Sequence, residues 1–248
     1  MSRIILTAAS RVGCVRSNNE DMILVCDKFI RSDVYATEFD SENSDRFVIA
    51  LADGMGGHNA GEVASSDVLA NLQFFLNDLP ARLSSGEFTE MIMEWLHSVN
   101  QIIDSKGHAN PSMADMGTTL VAVVFYNNKY YWMNCGDSRL YRLRDGQLTQ
   151  LSIDHSLNNV RGEKRHSNII TNCIGASCKN SYLDMFDFTD DFLSGDVYML
   201  CSDGLSDMVP DQDIERMMNE DASANQLCEA AIAAGGYDNV SVCIFKVE

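Results

Sequence analysis

The run Phe47-Val-Ile-Ala-Leu-Ala52 reads as a buried strand, and it ends on Asp53-Gly54. A lone carboxylate at the tip of an apolar run does not help folding, because burying an unpaired charge is expensive. The tip is therefore expected to serve an ion. Gly54 lacks a Cβ, so its carbonyl can approach an ion closely. Gly56 and Gly57 permit a sharp turn, and a helix pattern starts near Ala60. Asn59 with Glu62 reads as an N-cap and its reciprocal partner. Three familiar loops are excluded. There is no Gly-Lys-Ser/Thr of a nucleotide-binding loop, and Asn59 stands where a dinucleotide loop needs its third glycine. Met55 stands where a calcium loop needs an oxygen ligand. Read alone, the stretch fits an ordinary glycine turn with a solvated aspartate equally well.

The aspartate is not alone. Val197-Tyr-Met-Leu-Cys-Ser-Asp203-Gly204 repeats the design, and Tyr130-Tyr-Trp-Met-Asn-Cys-Gly-Asp137 puts a third aspartate after a strand. Gly235-Gly-Tyr-Asp238-Asn239 puts a fourth between a helix and the last strand, and Glu20-Asp21 precede an early one. Each could cap its own turn, which is common for Asp-Gly. If these edges lie together, their mutual repulsion requires cations. Oxygen ligands without clustered His or Cys suit hard ions such as Mg²⁺ or Mn²⁺.

Composition narrows the classes. The 248 residues include 18 basic and 36 acidic ones, a formal charge of −18. That disfavours nonspecific nucleic-acid or anionic-membrane binding and suits divalent cations. The 8 cysteines form no Cys-x-x-Cys pair and mostly sit in apolar runs, as free thiols in a reducing compartment do. No run approaches a membrane span, and the apolar run Ile4–Ala9 is too short for a signal sequence. A cytoplasmic protein is expected.

Strands are expected at residues 3–9, 22–29, 118–126, 129–134, 139–144, 147–151, 182–188, 197–201 and 239–247. Helices are expected at 60–78, 87–105, 211–219 and 223–234. Residues 31–45 read as a polar surface loop, and 107–117 and 154–172 as irregular. Helices and strands come in blocks, which indicates an α+β fold with antiparallel sheets. There is no linker, repeat or low-complexity tract, so a single domain over 1–248 is expected.

Taken in order, Val15-Arg16-Ser-Asn-Asn-Glu20-Asp21, Asp53-Gly54-Met-Gly-Gly-His58 with Gly61-Glu62, and Met116-Gly-Thr-Thr119 form an ordered series. Gly136-Asp137-Ser-Arg139-Leu-Tyr141, Asp154-His-Ser156, Ser202-Asp203-Gly204-Leu205 and Asp238-Asn239 continue it. The series resembles the metal-dependent serine/threonine protein phosphatases of the type 2C class, in their bacterial form, from about residue 8 onward. The resemblance implies a sandwich of two antiparallel sheets with helices on both outer faces and a metal site at one end. It implies that Asp53 bridges two Mn²⁺ or Mg²⁺ ions, that the Gly54 carbonyl ligates one, and that Asp203 and Asp238 ligate the other. Glu20 and Asp21 hold metal-bound waters or ligate directly, Asp137 with Asp203 can take a third ion, and Asn239 supports nearby ligands. Arg16 becomes the substrate-phosphate clamp, for which a planar guanidinium is suited.

The implied reaction is attack of a metal-activated water on phosphoserine or phosphothreonine of a protein, reversing a bacterial serine/threonine kinase. His58 is the candidate acid for the leaving alkoxide, with a metal-bound water as the alternative, because Met55 follows Asp-Gly where other members carry the histidine. His155 is read as structural. The flap at about 155–172 is shorter than in bacterial members and carries Arg161, Lys164, Arg165 and His166, a patch for an acidic substrate or a solvated loop. A monomer is expected. Two alternatives remain: a pseudophosphatase that binds phosphoproteins without turnover, and a phosphatase of a sigma-factor regulator. The complete acidic set argues for catalysis.

Overall fold

The computed structural model describes residues 3–41, 45–56, 60–162 and 169–248, without the side chain of Asn158. The chain opens with β1 (Arg3–Arg11), β2 (Asp21–Val25), β3 (Lys28–Ile30), β4 (Val34–Asp40) and β5 (Arg46–Met55). Two long helices follow, α1 (Ala60–Asp78) and α2 (Ser85–Ala109). Next come β6 (Gly117–Thr118), β7 (Leu120–Tyr126), β8 (Lys129–Cys135), β9 (Arg139–Arg144) and β10 (Gln147–Gln150). A short α3 (Leu157–Arg161) precedes β11 (Ile174–Gly175), β12 (Asp184–Asp187) and β13 (Val197–Cys201). The chain then forms α4 (Asp203–Ser206), α5 (Asp211–Asn219), α6 (Ala224–Ala233) and β14 (Val240–Val247).

The strands form two antiparallel sheets. One runs β10-β9-β13-β14-β1-β4; the other runs β11-β6-β5-β7-β8-β12, with β2 joining β5 and β3 joining β2. Strand alternation sorts the apolar residues into layers. On β5, Ile49 and Leu51 face the sandwich interior with Ile23, Val121, Leu200 and Phe245. Val48, Ala50 and Ala52 face outward, under Leu69 and Leu72 of α1 and Ile92 and Trp95 of α2. The other sheet buries Met199, Cys201, Val240 and Val242 under Ile214 of α5 and Leu227 and Ala231 of α6. This is the expected α+β sandwich, and it explains why β5 reads as continuously apolar: both of its faces are covered.

Helix α2 begins two residues before its expected start, because Ser84 caps it. The Ser84 side chain accepts from Glu87 N, and Glu87 Oε2 accepts from Ser84 N at 2.8 Å. Two segments correct the sequence reading outright, and the first is 22–29, which is not one strand but the antiparallel β2–β3 hairpin. Residues 34–40 are not surface loop but β4, the edge strand beside β1. Their exposure alternates, and Tyr35 and Phe39 pack toward the interior while Glu38 and Asp40 face out.

Candidate metal centre

Strand β5 does not stop at Asp53. It continues to Met55 and takes up β6, with Gly54 opposite Thr118 and Met55 opposite Gly117. On the other edge, Asp53 lies directly opposite Asp21 of β2. Alternation puts Asp53 on the face of Ile49 and Leu51, and Asp21 on the face of Ile23 and Val25. Two carboxylates therefore share one end of the interior. The backbone of Asp53 is fixed on three counts: its N–H donates to Thr119 Oγ1 at 3.0 Å, and its carbonyl accepts from Thr118 Oγ1 at 2.8 Å and Thr119 N at 2.9 Å.

Gly54 has a packing reason as well. A Cβ there would lie 2.0 Å from the Gly61 carbonyl, so the start of α1 can approach this end of β5 only because both positions are glycine. The same device brings in the other segments. A Cβ on Gly204 would lie 1.9 Å from the Asn239 carbonyl, which seats Asp203 of α4 against Asp238-Asn239. Asn239 Oδ1 accepts from Glu20 N at 2.8 Å, and its Nδ2 donates to Val12 O and Asn18 O at 2.8 and 2.9 Å. This side chain ties the loop carrying Arg16 and Glu20 to the start of β14. Asp137 sits in the β8–β9 turn, where His155 Nδ1 accepts from Gly136 N at 3.1 Å and from Asn172 Nδ2 at 2.8 Å. Its Nε2 faces Asp184 Oδ2 at 3.1 Å, so the imidazole braces the turn.

The electrostatics are those of like charges held together. Burial, then Asp21, Asp203, Asp137 and Asp238, push the Asp53 carboxyl well above the usual range. Burial, then Asp137 and Asp238, do the same to Asp203. Burial raises Asp21 to about 6, opposed by hydrogen bonds from Ser241 and Ser202. Burial and Asp154 raise Asp137 to about 6. Burial also raises Glu20. Asp21 Oδ1, Asp137 Oδ1 and Asp203 Oδ1 are buried with no hydrogen-bond partner. Such oxygens are costly unless something cationic reaches them. Among the described residues, no three acidic, His or Cys side chains are already drawn into a closed ligand cage. Hard oxygen donors, orphaned lone pairs and unbalanced negative charge together fit divalent cations.

A polar belt that the sequence reading missed separates this end from the apolar interior. Ser202 Oγ donates to Asp21 Oδ2 at 2.8 Å and accepts from Ser241 N at 3.0 Å. Ser241 Oγ donates to Ser10 Oγ at 2.8 Å, and Asn19 Nδ2 donates to Ser10 Oγ at 2.7 Å. All four residues are buried. Their signal was present as polar residues at strand ends, but neighbours so distant in sequence cannot be paired from spacing.

Arg16 is half exposed and pairs with Asp238, Nη2 to Oδ2 at 2.6 Å. The expected phosphate clamp and an expected metal ligand thus hold each other. Arg16 and Glu20 line a cleft of about 730 Å³ with Val15, Gly56, Val63 and Met113. His58 and the Asn59 cap lie outside the described residues, as do Lys164, Arg165 and His166 of the flap. The described part of the expected flap segment contains α3 and one bridge between Ser156 and Ile170. Among the described residues, no helix is long and apolar enough to cross a membrane.

Comparison with known proteins gives the same direction. Serine/threonine protein phosphatase PstP of Mycobacterium tuberculosis is 35% identical over 261 residues, which cover 100% of this chain and 46% of that protein. The chain thus spans less than half the length of that relative. Serine/threonine phosphatase stp of Listeria innocua is 30% identical over 221 residues, 83% of this chain and 86% of that one. The catalytic domain of PstP, solved in complex with 2 manganese ions, superposes with a TM-score of 0.75 at 33% identity, covering 100% of this chain and 99% of that one. The family model for protein phosphatase 2C matches residues 30–233. With its acidic strand ends gathered at one end of a helix-flanked sandwich, the chain belongs to the protein phosphatase 2C family.

Proposed function

We propose that the chain hydrolyses phosphoserine and phosphothreonine in proteins, using Mn²⁺ or Mg²⁺, and reverses a serine/threonine kinase. The observation that carries this is the set of orphaned carboxylate oxygens on Asp21, Asp137 and Asp203 around the strongly perturbed Asp53. Membership of the family supports it, as does the manganese-bound structure of the PstP catalytic domain. Asp53, the Gly54 carbonyl, Asp203 and Asp238 would hold two ions, with Glu20 and Asp21 beside them. Asp137 with Asp203 would hold a third. The ions, when bound, supply a water acidified toward neutral pH and a positive field for phosphate.

The chain's own groups do the rest. Arg16 leaves Asp238 and turns its guanidinium to two phosphate oxygens. Asp238 would thereby be free to help hold an ion, so clamp and ligand would become available together. The Ser10–Asn19–Ser202–Ser241 belt fixes Asp21 from behind and keeps its second oxygen facing the site. His58 or water protonates the departing alkoxide. We further propose a cytoplasmic monomer, consistent with eight free thiols, of which Cys14 is exposed. No observation favours a module that binds phosphoproteins without turnover.

The test is release of phosphate from phosphoserine and phosphothreonine peptides by the purified chain, with Mn²⁺, with Mg²⁺ and with excess chelator. Metal-dependent turnover that chelator abolishes is expected. Full activity in chelator, or none with either ion, overturns the reading.

A further inference from the structure

Three thiols gather beside the site without entering it. Cys135 ends β8 and is buried, Cys173 precedes β11 and is buried, and Cys178 is partly exposed. Cys173 Sγ donates to Gly175 O at 3.6 Å, and Cys178 N donates to the same carbonyl at 2.9 Å. Cys173 Sγ and Cys178 N thus converge on one carbonyl oxygen. Gly175, Ala176 and Ser177 between them have φ of 82°, 50° and 59°. Side-chain-bearing residues adopt that left-handed backbone only when their surroundings impose it.

Helix α2 does the imposing. Asn100 Oδ1 accepts from Gly175 N at 2.7 Å, and Asn100 Nδ2 donates to Cys178 O at 2.9 Å. Asp104 Oδ1 accepts from Ser177 N at 3.1 Å. The turn fixes both cysteines around the one Gly175 carbonyl. It also joins the acidic end on two sides. Asn172, next to Cys173, donates to His155, which accepts from Gly136 beside Asp137. Ile174 and Gly175 pair with β6, whose Thr118 donates to the Asp53 carbonyl.

We propose that Cys173 and Cys178 form a reversible disulfide when the protein meets a peroxide, and that closing it weakens cation binding at the acidic end. Cys178 is the thiol that meets solvent. Burial pushes the Cys173 thiol up to about 12 and Cys135 higher still, so neither is the first target. Peroxide oxidises the Cys178 thiol to a sulfenic acid and is itself reduced to water or an alcohol. Cys173 sulfur then attacks the sulfenic sulfur, its proton leaves with the hydroxyl as water, and the S–S bond forms. A dithiol reverses the bond. The disulfide stands on the turn alone; its effect on cations rests on the function proposed above.

Metal-stripped protein is treated with hydrogen peroxide, alkylated, digested and weighed. Mn²⁺ affinity is read by electron paramagnetic resonance before and after. A Cys173–Cys178 link is expected, reversed by dithiothreitol, with Mn²⁺ affinity lowered about fivefold or more. Cys178→Ser, at a partly exposed position, should fold and show neither effect. Unchanged alkylation of both thiols, a link through Cys135 instead, or a link that leaves Mn²⁺ affinity unaltered overturns the proposal. If untreated protein binds no Mn²⁺, the proposed metal centre fails, while the mass measurement still judges the disulfide.

Discussion

Two buried charged groups stand side by side at the same end of the sandwich and are built oppositely. Arg139 begins β9, two residues after Asp137, and its guanidinium is almost wholly buried against Asp154. Its Nε lies 3.0 Å from both Asp154 oxygens, and Nη2 lies 2.7 Å from Oδ2. Its Nη1 donates to Tyr141 OH, which donates to Asp211. Gln150 Nε2 completes the Asp154 carboxylate at 2.7 Å. Among the described residues, the neighbouring set of Asp21, Asp53, Asp137 and Asp203 has no side-chain cation bonded to it in this way and keeps three buried oxygens without hydrogen-bond partners. A buried charge kept for structure carries its counter-charge in the chain. A buried charge kept for chemistry leaves that place to something from outside.

The widest break in the comparison is to remove a charge from each group. Asp53→Asn and Asp203→Asn should lower phosphatase activity by several kcal/mol of transition-state stabilisation, about a thousandfold. Each should also raise the metal-free stability at pH 7 by about 1 kcal/mol or more, because a repelling buried charge is gone. Denaturant unfolding beside turnover measures both, and loss of stability in both variants would contradict the contrast. Asp154→Ala does the reverse. It strands Arg139 and should destabilise the fold by about 3–5 kcal/mol with or without Mn²⁺, read as a lowered denaturation midpoint.

The pH dependence sharpens the point. Asp21 and Asp137 are held at about 6 against 3.8 in the unfolded chain. The folded metal-free protein therefore keeps protons that the unfolded chain loses between about pH 4 and 6. Stability should fall as pH rises through that window, by up to about 3 kcal/mol for each group, and the loss is complete above it. Saturating Mn²⁺ should cancel the fall by binding only the folded state. Unfolding followed across that range with and without the ion tests it, and a rise with pH in the metal-free protein would sink the assignment. The smallest structural effect is expected at the rim. Arg16→Ala removes a half-exposed ion pair worth about 0–1 kcal/mol, so stability should hardly move while KM for phosphopeptide rises. An unchanged KM would remove Arg16 from the phosphate site.

The contrast was only partly legible in the sequence. Asp53, Asp137, Asp203 and Asp238 could be singled out because each follows or precedes an apolar run, a local pattern. Arg139 stood in plain view, but its partner Asp154 lies across a hairpin, and a contact of that span leaves no periodic mark. The serine–asparagine belt is hidden for the same reason. Strand β4 was missed because its alternation is diluted by Ala36 and Thr37 and by acidic residues on the solvent face. The extension of β5 past Asp53 was missed because glycine reads as a stop, whereas Gly54 is there to let α1 approach.

The strand latest in the chain, β14, lies in the middle of its sheet, between β13 and β1. Asn239 at its start fastens the loop between β1 and β2. The first and last pieces of the site are therefore neighbours in space. A growing polypeptide that has emerged as far as residue 230 holds most of the acidic residues but cannot close the sheet that gathers them. A centre of this kind is therefore completed only once β14 has emerged, and a truncated product ending before β14 would carry the motifs without the centre.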